Sequence, residues 1–120
     1  MKKIEAIIRP EKLEAVKDAL EAIGIPGMTV TDIKGRGRQK GIALQWRAGE
    51  YRVNFLPKSK IEIVLADEKC QTAIDCICRA AKTGKEGDGM IFVLPVENAW
   101  RVRTSDSGEA CINACINGSK

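Results

Sequence analysis

With 120 residues, 44% apolar and 30% charged, the chain fits one soluble domain large enough to bury a core without covalent staples. A net charge of +4, with cations interleaved among carboxylates, suits small anionic ligands and argues against broad nucleic-acid binding. The complete lack of histidine removes histidine–metal sites and histidine-based acid–base catalysis. The first residues run straight into a strand-like segment, with no apolar leader and no apolar run of membrane-spanning length, so a cytoplasmic protein is expected. Five cysteines, an odd number and all late in the chain, argue against a secreted disulfide framework.

Lys3–Arg9 (KIEAIIR) reads as a first strand, with Ile4, Ala6 and Ile8 on one face. Pro10 sits where the first turn of a helix accepts it, and Leu13, Val16, Leu20 and Ile23 follow at helical spacing. Gly24 reads as the glycine closing that helix, and Pro26-Gly27 as a turn. Met28–Gly35 is the second strand. From there to Pro57 runs a stretch much longer than an ordinary connection, with no clear period of its own, glycines and cations at its start, and Trp46 and Tyr51 farther on. It reads as a mobile recognition arm on a rigid scaffold.

Pro57 marks the end of the arm, and Lys58–Ala66 is the third strand. Asp67 is placed to cap a helix over about Glu68–Lys82, with Ala73, Ile74, Ile77 and Ala81 on its apolar face. A glycine-dense turn, TGKEGDGM, leads into a fourth strand at Ile91–Pro95, and Ala99–Arg103 reads as a short last extended piece. The order β-α-β-β-α-β implies an α+β, ferredoxin-like sandwich: a four-stranded antiparallel sheet with two helices on one face. The other face is left uncovered, which invites oligomerisation.

Three sets of residues could carry chemistry, and each has a plain alternative. The glycines and cations of Gly35–Gly41 let backbone amides approach an anion, but a loop entrance looks the same. The turn from Thr83 to Gly89 could form an amide nest; alternatively, Gly84 caps the preceding helix and a tight turn follows. Arg101 and Arg103, two apart on an extended segment, would point the same way and suit a polyphosphate, or could be solvated surface charge. Cys76 and Cys78 diverge on a helix and suit packing. Cys111 and Cys115 become neighbours only if the tail is helical; a redox pair or a soft-metal site needs more ligands, and inert thiols are the simpler reading.

Together, the opening KKIEAIIRPEKLEAVKDAL, the block GMTVTDIKGRGRQKG, the segments LPKSKIEIVLADE and TGKEGDG, and IFVLPVENAWRVRT resemble the PII signal-transduction proteins of nitrogen regulation. The resemblance covers residues 1–108, with the arm, about 37–56, matching the T-loop and 109–120 left as a tail. It implies a homotrimer whose inter-subunit clefts bind ATP or ADP. Thr29 and Val64 would lie beside the adenine and Gly27 near the ribose. Gly37, Arg38, Gln39, Gly87 and Gly89 would lie at the phosphates, with Gly35 and Asp88 in the same site and Arg101 and Arg103 reaching in from the neighbour.

The resemblance further implies 2-oxoglutarate beside Mg-ATP, with Gln39 on the metal and Lys40 and Lys58 at the acid. Tyr51 matches a tyrosine that is uridylylated in some relatives. Met90 stands where that family carries lysine, and Leu44 and Trp46 make the arm less polar than usual. The expected function is a non-enzymatic nitrogen, carbon and energy sensor. It would regulate an ammonium transporter or a nitrogen-metabolism enzyme through the arm, reaching the membrane only through such a partner. The alternatives are a divergent nucleotide sensor with another effector, or an RNA-binding module. The latter needs aromatic residues on central strands, where Phe92 is the one present.

Overall fold

In the computed structural model of the chain, the backbone is described for residues 1–36, 42–46, 49–53 and 55–116, and side chains for 1–36 and 55–112. The elements are β1 (Lys2–Ile8), a 3-10 turn (Pro10–Lys12) running into α1 (Leu13–Ala22), β2 (Thr29–Gly35), β3 (Ile42–Trp46), β4 (Gly49–Val53), β5 (Leu56–Leu65), α2 (Asp67–Ala81), β6 (Gly89–Pro95) and α3 (Glu109–Ile116). Strands β2, β5, β1 and β6 form one sheet in that order, antiparallel at each pairing, which is the ferredoxin-like arrangement the alternation predicts.

Alternation decides which side is core. Ile4, Ala6 and Ile8 of β1 and Ile61, Ile63 and Leu65 of β5 point to one face and are buried with Val16 and Leu20 of α1 and Ala73, Cys76 and Ile77 of α2. Each valine, leucine or isoleucine among them contributes about 1.5–3 kcal/mol by leaving water. Helix α1 ends in a Schellman cap: Gly24, at φ +86°, donates to Glu21, and Ile25 donates back to Leu20 and is itself buried. Ile23, expected on the apolar face, is the C-cap residue and lies exposed because the helix has ended there.

Several expectations need correction. The arm is not without regular structure: β3 and β4 pair antiparallel, Ile42 with Val53 through Trp46 with Gly49, so the apolar and aromatic residues there belong to a two-stranded ribbon. Strand β5 begins two residues earlier than expected, and Pro57 lies within it. That position is beyond the last β1 rung, Ile8 with Ser59, so the strand there has a neighbour on one side only, and such a stretch tolerates proline. Asp67 does not cap α2. Ala66 occupies the N-cap, while Asp67 is the first helical residue and pairs with the Met1 ammonium at 3.1 Å.

Gly84 does not cap α2 either; Lys82 does, and Gly84 belongs to the turn beyond. The piece Ala99–Arg103 is not a strand. A single bridge joins Trp100 to Ser107, and the chain turns between them, held by Arg101 N–H to Asp106, Ser105 N–H to Arg101, and the Thr104 hydroxyl to the Asp106 carboxylate. The period-two argument that aligned Arg101 with Arg103 therefore does not apply. The tail is helical over Glu109–Ile116, and Cys111 is buried with its thiol donating to the Ala99 carbonyl at 3.7 Å. Among the described residues no helix is long and apolar enough to cross a membrane.

Candidate functional site

The sheet face away from the helices carries Lys3, Glu5 and Ile7 of β1, Lys58, Lys60, Glu62 and Val64 of β5, and Met90, Phe92 and Leu94 of β6. Toward one end of it, Lys3 pairs with Glu62 at 2.7 Å and with Glu5 at 3.3 Å. The Glu62 carboxylate holds the Lys3 ammonium above its ordinary pKa, and Lys3 in turn holds Glu62 below the usual carboxylate range. Along β6 the face is apolar and open: Met90, Phe92 and Leu94 are all exposed.

Two clefts of about 500 Å³ open at opposite ends of this face. Their β1 residues, Lys3 and Ile7, are four positions apart, about 13 Å along the strand. The first cleft has Val64 and the Lys3–Glu62 pair on its floor, Gly27 and Thr29 at the start of β2 on one side, and Trp100, Arg101 and Cys111 on the other. The Arg101 guanidinium donates to the Cys111 carbonyl, which ties the start of α3 to this rim.

The second cleft lies between the foot of the arm and the glycine turn. Gly35, Arg36 and Lys58 form one wall, Glu86, Gly87 and Gly89 another, and Ile7, Met90 and Phe92 the floor. Lys58 spans the two walls, its ammonium 2.7 Å from the Gly87 carbonyl. The turn itself is built around Asp88. Its carboxylate accepts from the Thr83 amide (2.8 Å), the Gly84 amide (2.9 Å), the Thr83 hydroxyl and the Arg9 Nε (3.0 Å), and Arg9 also donates to the Glu86 carbonyl at 2.6 Å. The Thr83 bonds first, and the Arg9 and Gly84 bonds after them, hold Asp88 far below the usual carboxylate range.

The backbone of that turn needs glycine for two separate reasons. Gly84 and Gly87 sit at φ +88° and +91°, where a side chain is strained. Gly89, at φ +123°, also lies so close to β1 that a Cβ would fall 1.8 Å from the Ile7 carbonyl oxygen. The nest expected of the turn exists, but its Thr83 and Gly84 amides already hold an anion: the chain's own Asp88.

Of the residues expected to form one site, Gly27, Thr29, Val64 and Arg101 line the first cleft, and Gly35, Lys58, Gly87 and Gly89 the second. Arg103 is exposed on the turn after Trp100 and lines neither. Gly37, Arg38, Gln39 and Lys40 lie outside the described residues. Tyr51 pairs with Leu44 in the backbone ladder of β4, and its side chain, like that of Cys115, lies outside the described residues. Sequence reasoning missed Arg9 and Trp100, and took Thr83 only as the start of the glycine turn. Only the spacing of Thr83 to Asp88 across the four residues Gly84 to Gly87 hinted at a side chain closing its own turn. Among the described residues, no cluster of three or more cysteines and carboxylates could hold a metal ion.

The family profile described as Nitrogen regulatory protein P-II matches residues 1–106. The chain is 59% identical over 108 residues to a Nitrogen regulatory protein P-II of Bradyrhizobium diazoefficiens, covering 90% of this chain and 96% of that one. It is 54% identical over 112 residues to Nitrogen regulatory protein P-II 1 of Escherichia coli, covering 93% of this chain and all of that one. The figure is again 54% over 112 residues for Nitrogen regulatory protein P-II 2 of Methanothermobacter thermautotrophicus, of which 97% is covered. An archaeal and two bacterial relatives thus align over nearly their whole lengths, and the chain belongs to the P-II family of nitrogen regulatory proteins.

Proposed function

We propose that this regulator senses adenine nucleotide in sites completed by a second copy of itself, and reports occupancy through the arm between β2 and β5. The observation that carries the reading is the division of the expected site between two clefts at opposite ends of one uncovered, apolar-rimmed sheet face. A two-fold contact could bring the first cleft of each copy to the second of the other. A head-to-tail contact sets the first cleft of one copy against the second of the next, and such contacts are finite only when they close into a ring. The homotrimer implied by the sequence resemblance is such a ring.

In each joint the first cleft's apolar floor, with Thr29 and Val64, would take the adenine, and Gly27 the ribose. The second cleft's Gly35, Gly87 and Gly89 would take the phosphates, joined by Gly37, Arg38 and Gln39 and by Arg101 and Arg103 of the adjoining copy. ATP would bring Mg, held with the help of Gln39, and 2-oxoglutarate would sit beside it against Lys40 and Lys58. Lys58 and the strand that carries it connect the phosphate turn to the arm, so a ligand there makes different contacts with different arm positions. The protein acts in this reading without catalysis, by docking the arm on an ammonium transporter or a nitrogen-metabolism enzyme. Tyr51 is then either a docking residue or a modification site.

The test is calorimetry of ADP, and of Mg-ATP with and without 2-oxoglutarate, on protein sized by light scattering. A trimer that binds nucleotide, and takes up the acid only with Mg-ATP, is expected. A monomer indifferent to all three removes the reading.

A further inference from the structure

We infer that Arg9, Thr83 and Asp88 form a clasp that holds the glycine turn in its anion-receiving shape, so that they set the affinity for a nucleotide's terminal phosphates without touching the ligand. The inference rests on the nucleotide reading above and adds positioning residues to it.

An ionised carboxylate inside a phosphate-binding turn is at first sight adverse, because like charges a few ångströms apart repel. The geometry removes the difficulty. A carboxylate has about four acceptor positions. Here Oδ1 takes the Arg9 Nε and the Thr83 hydroxyl, and Oδ2 takes the Thr83 and Gly84 amides, so each oxygen is doubly engaged. No acceptor position is left to turn toward the cleft, and Asp88 is absent from the cleft's lining while Gly87 and Gly89 on either side belong to it. The Arg9 guanidinium cancels the charge at 3.0 Å.

The clasp also spans the right elements. Arg9 follows directly on β1, whose Ile8 pairs with Gly89, and its second arm holds the Glu86 carbonyl at 2.6 Å. Thr83 lies two residues past the end of α2. One carboxylate therefore fixes the sheet end, the helix end and both limbs of the turn. Three residues of the turn, Gly84, Gly87 and Gly89, have positive φ, a backbone with wide freedom when nothing holds it. Lys58 grips the same turn from the opposite wall through Gly87. The clasp and Lys58 together leave the stretch between Glu86 and Gly89 with little room to move, which lowers the ordering cost of anion binding.

The test is the ratio of ADP to AMP affinity, measured by displacement of a fluorescent ADP analogue from the full-length protein. A general loss of folding or assembly weakens both nucleotides alike; a loosened phosphate turn weakens ADP more. For Asp88→Asn, which keeps the shape and removes the charge, ADP is expected to lose roughly tenfold more affinity than AMP. Arg9→Lys, which keeps the charge but not the fork, should show a smaller loss in the same direction, and Thr83→Ser should match wild type. If Asp88→Asn does not fold, Arg9→Lys and Thr83→Val give the same ratio. Variants that keep the wild-type ratio, with or without a shared loss, overturn the clasp alone. Wild type that ignores the analogue removes the nucleotide reading and the clasp with it.

Discussion

Replacing Gly89 by alanine should be the most damaging glycine substitution in the described turn, and the structure gives the size of the effect. The residue is at φ +123°, and its Cβ would fall 1.8 Å from the Ile7 carbonyl oxygen and 3.2 Å from the Ile8 Cα. Since real Cβ contacts do not fall below 3.0 Å, the end of β6 must retreat from β1 by at least about 1.2 Å. Strain at a glycine-only φ costs about 1–3 kcal/mol. Opening the last rungs of the β1–β6 ladder loses one or two hydrogen bonds at about 1 kcal/mol each.

The sum is about 2–5 kcal/mol, and at roughly 4 °C per kcal/mol for a domain of this size the thermal midpoint should fall by about 8–20 °C. Gly84→Ala separates the two causes. It carries the same sign of φ but has nothing within 4 Å, so φ strain alone, about 1–2 kcal/mol, lowers the midpoint by about 4–8 °C. Gly27→Ala, with neither positive φ nor a neighbour within 4 Å, should stay within about 2 °C of wild type. Calorimetric melting of the nucleotide-free proteins reads all three. Gly89→Ala melting no lower than Gly84→Ala would refute the close-approach argument.

The remaining expectations concern charge and thiols. Met90 is 60% exposed on the floor of the second cleft, where a lysine would add a cation, so Met90→Lys should raise the preference for ATP over ADP by roughly tenfold; unchanged preference in calorimetry would show that the position does not meet the terminal phosphate. The lowered pKa of Asp88 and Glu62 means their stabilisation is complete above the unfolded carboxylate range and is lost as pH falls below about 4; the raised pKa of Lys3 means its share is complete below about 10 and is lost above its folded pKa. Melting midpoints should therefore form a plateau from about pH 5 to 10 and fall on both sides, and a midpoint that climbs steadily across that range would contradict the assignment. In a Cys115→Ser variant, exposed Cys78 should react first with a thiol reagent and half-buried Cys70 next, while buried Cys76 and Cys111 wait for unfolding; rapid labelling of Cys111 would mean α3 does not stay docked.

The scaffold was legible in the sequence because its pattern is clean. Ile4, Ala6 and Ile8 alternate on β1, and Val16 and Leu20 keep the helical period. Gly24 falls where a Schellman cap requires positive φ. Misreadings came where two partners compete for one residue. Asp67 looks like a cap until the chain terminus, brought to it by the fold, supplies a charged partner. Arg101 and Arg103 look like a strand pair until side chains at Thr104 and Asp106 turn the chain. The clasp joins Arg9 to Asp88 across 79 positions, a pairing that local pattern cannot reveal. The division of the site between two clefts depends on the register of the sheet, which places Lys3 and Ile7 at opposite ends of one face.

Strand β5 is one unbroken rod of ten residues, running from the arm to the helix that follows the sheet centre. From Ser59 to Glu62 it is stitched to β1 on one flank and β2 on the other, whereas Leu56, Pro57 and Lys58 are stitched to β2 alone. Any swing of the arm can therefore pivot no deeper than Lys58, and the residue at that pivot is the one whose ammonium clips the glycine turn. Whatever displaces Lys58 from Gly87 loosens the arm's footing at the same stroke.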